Sequence, residues 1–400
     1  MIFRIALLLL LFASGNLYAD TSKIWGKNGE QWDKSRLPDW SQVGYRKGKP
    51  VPNFAKSEMK DVVEDYGAKP DDGNDDTKAF ENAIKDGGKI YIPPGRYIIK
   101  KQIVLKKDGT VLHGAGEGKT QLYFPNHLYS IFGKGWDHPT HSYWSYHGGL
   151  IRIEKGASEC GIEYLTMECK ETPHDIHRDH AKEKGYNGIQ IDGTHNWVRN
   201  VTTKNMDIHY EINNQYNTLV NITLDGQRSG HKGVIFASQY CLLYNFRIKP
   251  LIKETLAFQD GSMNVAAKGH ANILSFDHHR EPTHRNLFSN IRIDDPSRIY
   301  STGGSRTKPE MHPDSRYNTF WNIHGKNGDA VMDRELTRHC NIIGAKRNDY
   351  SDQNHIEKIT PRDLQPQDLY LAQGGRDPDS GGLISLEPPR SLVILSTDGD

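Results

Sequence analysis

Four hundred residues carrying 51 basic and 50 acidic side chains, with a mean hydropathy of −0.72, describe a polar, nearly neutral chain. The even charge argues against a general nucleic-acid-binding surface. Four scattered cysteines, none in a Cys-x-x-Cys pair, exclude a zinc ribbon or a dithiol redox motif. The length fits two or three ordinary domains or one long all-β domain, glycine is abundant at 38, and 19 histidines are a first hint of a polar site.

Residues 1–19 read as a secretory signal: Arg4 supplies the positive start, Ile5 to Phe12 the apolar core, and Leu17-Tyr18-Ala19 a cleavage site. The apolar core is too short for a stable membrane anchor, so the expected location is secreted or periplasmic. Residues 20–60 carry Trp25, Trp32 and Trp40 among Lys, Pro and Gly, and are expected to wrap on the body as an extended segment. Asp75, Asp76 or Thr77 then caps a predicted helix over 78–85, which buries Ala79, Phe80, Ala83 and Ile84 and stops at Gly87-Gly88. Strands follow at Lys89-Ile90-Tyr91-Ile92 and Tyr97-Ile98-Ile99, with Pro93-Pro94-Gly95 turning between them. Cys160 and Cys169 are expected either as a disulfide or as buried thiols.

Asp65, Gly67, Ala68, Asp72-Gly73, Asp75-Asp76-Thr77, Ala79, Ala83-Ile84, Gly87-Gly88, Pro94, Gly95 and Tyr97 fall in one ordered pattern. In this stretch the chain resembles the opening of the pectate lyase superfamily, in its rhamnogalacturonase- and epimerase-like branch. The resemblance implies a right-handed parallel β-helix whose N-terminal end is capped by the helix, and a carbohydrate context. Phage tailspikes share this hallmark, but the signal segment argues against one. Polygalacturonase-like members carry Asn-Thr-Asp, Asp-Asp, Gly-His-Gly and Arg-Ile-Lys motifs; here Arg247-Ile248-Lys249 has no preceding Gly-His-Gly and no paired Asp on the preceding coils, which leaves it an isolated tripeptide. The aspartate cluster of the calcium-dependent lyases is also missing, so no cofactor or metal is expected.

A repeat supports the solenoid independently of that resemblance. Asparagine before an apolar residue recurs at Asn200, Asn221, Asn245, Asn264, Asn290 and Asn322, with spacings of 21, 24, 19, 26 and 32. A second asparagine stands four residues earlier at Asn196, Asn217, Asn286 and Asn318. Coils of this length suit a β-solenoid with amides bonding up and down the stack. The β-helix is expected over 61–345, with a C-terminal cap and loose tail over 346–400.

The candidate site is the polar run from Asp277 to Asn286, expected to start where a short strand ends. Parallel strands about 4.8 Å apart set a ruler: equivalent positions three coils apart are roughly 14 Å apart. A hydrolase needs two carboxylates about 5–9.5 Å apart. Asp192 and Glu211 are then too distant to pair with Asp277, which leaves Glu254, Asp260 or Glu281. The same cluster suits β-elimination on a uronic-acid polymer, with Arg280 neutralising the carboxylate and His278 or His279 moving protons. His231, Lys232, Lys253 and Glu254 are expected to approach from neighbouring coils, with Tyr210, Asn213 and Arg285 as further substrate contacts. The expected partner is a polysaccharide, cleaved by a lyase acting on an acidic glycan; a glycoside hydrolase and a non-catalytic glycan-binding β-helix are the alternatives. A structural salt-bridge network around Asp277 would account for the same residues. His174, His177 and His180 have metal-like spacing but sit in a loop-like sequence. Trp136, Tyr143, Trp144 and Tyr146 either stack on sugar rings or cover the solenoid's side.

Overall fold

The computed structural model describes residues 20–133, 148–171, 185–227, 230–259, 261–278, 283–295, 300–303, 316–325, 328–329, 331–332, 339–347, 354–361 and 363–380. Residues 1–19, the stretches His174–His180 and Trp136–Tyr146, and Asp260, His279, Arg280 and Glu281 lie outside the described residues.

The chain coils as a right-handed parallel β-helix, the hand that parallel crossovers favour. Each full coil lays one strand in an eight-stranded parallel sheet and one longer strand in a fifteen-stranded sheet. The longer strand bends midway at a residue with positive φ: Asn200, Asn221, Asn245, Lys268, Asn290 and Asn322, at φ 52–55°. Asparagine tolerates this left-handed conformation better than most residues. The bend gives each coil three faces, with the core enclosed between them.

Side-chain alternation fills the core. In the eight-stranded sheet, Ile189, Tyr210, Val234, Leu256 and Phe276 point inward on successive coils and pack with Leu219, Ile222, Phe246, Phe288 and Ile291 from the other sheet. The N-terminal end is closed by a helix over Thr77–Asp86, one residue longer at each end than expected, ending at Gly87 with φ 71°. Asp76 stands at the cap position, yet its carboxylate accepts from the backbone N–H groups of Lys69 and Ile98. Asp75 is the residue that accepts from Thr77 N, at 3.0 Å.

The asparagine repeat resolves into two columns. The outer column is the row of bends. The inner column is a buried ladder in which each side-chain oxygen accepts from a backbone N–H one coil below: Asn196 from Cys160, Asn217 from Asn196, Asn264 from Cys241, Asn286 from Asn264, and Asn318 from Asn286, each at 2.9 Å. Cys241 fills one rung with its thiol, taking Asn217 N at 3.4 Å. All four cysteines are buried thiols, and Cys160 and Cys241 stand in this column. Asn264 therefore belongs to the inner column, and Lys268 holds the bend that the sequence repeat assigned to Asn264.

The first half of the bent strands presents an apolar outer surface of Val220, Leu242, Tyr244, Val265, Leu287 and Trp321. Trp25, Leu37, Trp40 and Val43 cover it from the N-terminal side, and Leu364, Leu369 and Tyr370 from the C-terminal side. Trp40 is fully buried and its indole N–H donates to the Arg285 carbonyl at 2.9 Å. Buried Arg199 ties the lead-in further, donating to Pro52 O at 3.0 Å and Asn53 Oδ1 at 2.6 Å while pairing with Glu163. The fifteen-stranded sheet runs on through His355–Glu357, which pairs with Asn341–Ile343, so the coil extends past the boundary expected at 345.

Candidate functional site

The outward positions of the eight-stranded sheet form a column of directly paired residues: Arg152, Gln190, Glu211, Ile235, Ala257 and Asp277. Each alternates with core residues on its own strand, which is why it faces away from the core. Glu211 and Asp277 lie three strands apart, and the strand ending at Ile191, next to Asp192, lies four strands from that of Asp277. At about 4.8 Å per strand, neither can share a reacting atom with Asp277.

Lys232 opens the strand Lys232–Phe236, and Glu254 opens the next strand directly beside it. The Lys232 ammonium contacts Glu254 Oε2 and reaches Asp277 Oδ2 at 3.2 Å. His231 Nε2 lies 3.6 Å from Glu254 Oε1. Asp277, Lys232 and His231 are each at most 1% exposed, and Glu254 is 7% exposed. Burial alone would push Glu254 up, but the charge of Lys232 outweighs it and holds the carboxyl well below its ordinary value. Burial pulls Lys232 down; Glu254 and then Asp277 more than reverse this, so the amine stays protonated. Both carboxylates therefore meet on one ammonium, which brings them onto the same patch of adjoining coils.

The remaining expected residues divide. Asp277 and His278 lie within the strand Ser275–His278, not beyond its end, because alternation sends Asp277 outward to Lys232 and His278 inward. The His278 ring packs against Phe258 and Phe288, with Nδ1 on Thr283 Oγ1 at 2.7 Å, and burial lowers its pKa to about 4. It is a neutral core residue on the opposite side of the strand from Asp277. Tyr210 is likewise a core residue and lines no groove. Arg285 is exposed in the turn before Asn286, at φ 58°, on the corner that touches Trp40. Lys253 precedes the Glu254 strand and is half-buried.

Asn213 joins a separate polar knot on the same face. Its amide donates to Asp192 Oδ1 at 2.8 Å, Gln190 donates to the same oxygen at 2.9 Å, and Arg152 Nε meets Oδ2 at 2.6 Å. Arg152 and Gln190 carry no cue of their own in the sequence, since nothing local ties them to Asp192. The coil offset between Gln190 and Glu211 is the one signal that could have placed them in a column.

The coil architecture and the N-terminal cap define a pectate-lyase-like single-stranded β-helix. Residues 62–130 match the family described as rhamnogalacturonase A/epimerase, pectate lyase-like, in the stretch where the motifs pointed to it. Among curated proteins, the chain is similar to the preneck appendage protein of Bacillus phage PZA, 44% identical over 62 residues, or 16% of this chain and 7% of that protein. It is also similar to the pre-neck appendage protein of Bacillus phage B103, 32% identical over 111 residues, or 26% of this chain and 13% of that protein. The chain thus spans a small fraction of these relatives. Among solved structures, an exopolygalacturonase from Thermotoga maritima aligns at 12% identity and a TM-score of 0.46, covering 80% of this chain and 94% of that one. The A-module of the mannuronan C-5 epimerase AlgE4 from Azotobacter vinelandii aligns at 16% identity and a TM-score of 0.38, covering 75% and 98%. No helix among the described residues is long and apolar enough to cross a membrane.

Proposed function

We propose that the protein is a carbohydrate-active enzyme that cleaves a polysaccharide with the carboxylate pair Glu254 and Asp277, as a glycoside hydrolase of the β-helix class. The observation that carries this reading is the contact of both carboxylates with the single Lys232 ammonium. Glu254, held ionised by Lys232, suits the nucleophile, and Asp277 stands beside it as the second carboxylate. β-Elimination on an acidic glycan is supported less well, because His278 faces the core and the Lys232 ammonium is already taken up by Glu254 and Asp277. That reading rests on His231, His279 and Arg280.

Burial favours a second reading. Asp277 is 0% exposed and Glu254 7% exposed, which suits a structural ion cluster in a β-helix that binds glycan without cutting it.

One assay separates the three. The purified protein is incubated with plant and algal polysaccharides while reducing ends and the unsaturated-uronate absorbance are followed. Reducing ends alone, lost by roughly 10²–10⁴-fold in Glu254→Gln and in Asp277→Asn, is the expected outcome. A rise in both signals establishes a lyase, and silence with measurable binding establishes the binding protein.

A further inference from the structure

The second half of each bent strand presents the third face of the coil. Here the outward residue lies two positions after the bend. On four consecutive coils it is basic: Arg247 after Asn245, His270 after Lys268, Arg292 after Asn290, and His324 after Asn322. These four residues pair directly, strand to strand, so their Cα atoms rise about 4.8 Å apart along the helix axis. Core residues flank the two arginines, Phe246 and Ile248 around Arg247, Ile291 and Ile293 around Arg292, which forces their side chains outward.

They line a groove of about 500 Å³ together with Lys268 and the amides of Asn221, Asn245 and Asn290. The charge is only partly offset: Asp294 meets His270 at 3.0 Å and Arg292 at 3.6 Å, and Glu117 stands at one edge. Arg247 is exposed and makes no ion pair among the described residues, and Lys268 lies over the Tyr244 ring, where its charge also acts on Asp368. Beside the basic column runs a row of amides, Asn245 Nδ2 donating to Asn221 Oδ1 at 2.6 Å.

We propose that this groove is a second binding site, for a linear acidic polysaccharide lying along the helix axis. Cations repeating in step with the coils match a polymer that carries one carboxylate or sulfate per sugar, and guanidinium groups bind such anions through charge-assisted hydrogen bonds. The amide row offers donors and acceptors to ring hydroxyls. A single-stranded nucleic acid fits less well: base binding is strongest on broad exposed aromatic faces, and Phe246, the one Phe, Tyr or Trp of the lining, is 3% exposed. The groove lies on a different face from Lys232, Glu254 and Asp277, so the inference does not depend on cleavage there.

The test is binding of the full chain to polygalacturonate, alginate, neutral dextran and single-stranded DNA by isothermal titration at low and high salt. Polygalacturonate or alginate is expected to bind and dextran not, with affinity falling as salt rises. Arg247→Glu with Arg292→Glu is expected to weaken binding by about tenfold or more, with the melting temperature and the oligomeric state unchanged. Arg247→Lys, which keeps the charge and loses the fork, is expected to fall between. The proposal is overturned if neither polyanion binds, if the double variant binds like the parent, or if single-stranded DNA binds as well as the glycans. It is equally overturned if the double variant changes the oligomeric state, which would make this face a contact between copies.

Discussion

Lys232 neutralises two buried carboxylates, so removing it strands both charges. Lys232→Met is expected to destabilise the protein by on the order of 3–5 kcal/mol, read from the urea midpoint, and an apolar replacement of all three side chains is expected to recover most of that loss. His278 makes a separate prediction about pH. Its folded pKa of about 4 lies below the ordinary 6.5, so its contribution to stability is complete above pH 6.5 and is lost as pH falls toward 4. Asp368 runs the other way. Burial raises it to about 6 while it accepts from Ser289 Oγ at 3.0 Å and Tyr370 N at 3.0 Å. Its contribution is therefore complete below its ordinary 3.8 and declines as pH rises through 6. The two slopes oppose each other between pH 4 and 6. Denaturation across that range is expected to show stability falling with pH in His278→Phe and rising with pH in Asp368→Asn. Parallel slopes in the two variants would refute the assignment.

The rung is the element that repeats, and its inner asparagine does two jobs. Asn286 accepts from Asn264 N at 2.9 Å and donates to the Gly261 carbonyl at 3.1 Å. Asn286→Ala leaves the buried Asn264 N–H without its partner, while the Gly261 carbonyl keeps the His284 N–H at 3.3 Å, an expected loss of about 1–3 kcal/mol by chemical denaturation. Asn286→Cys is expected to lose less, because Cys241 already holds a rung with its thiol. Lys268→Asn tests the outer column: an asparagine at φ 55° suits the bend and joins the amide row, with an expected gain of a few tenths to about 1 kcal/mol. A repeat of asparagine was legible in the sequence, yet its assignment to columns was not. Asn264 and Lys268 are four residues apart, and only the strand register decides which of them sits at the bend. The basic residue two positions after each bend was equally present in the chain. Arg247-Ile248-Lys249 looks isolated until Lys268 is recognised as a bend and His270 falls into line.

At the scale of the whole molecule, three faces have three fates. One carries the buried polar column with Lys232, Glu254 and Asp277, one is apolar and covered by the two terminal segments, and one is open and basic. The covered face makes stability depend on residues far from the coil's own repeat. Trp40→Ala removes a fully buried ring and its bond to Arg285 O, with an expected loss of about 3–5 kcal/mol and new dye-binding apolar surface in the destabilised protein.

The sequence by itself determined the solenoid, because a helix-capping motif and a recurring coil length are local or periodic signals that survive without knowing any long-range contact. It also brought His231, Lys232, Glu254 and Asp277 to neighbouring coils, since counting coils needs only the repeat. The tertiary structure decided which way each side chain faces. A strand alternates at every residue, so a one-residue difference in where Ser275–His278 begins separates an outward Asp277 on Lys232 from an inward His278 among phenylalanines.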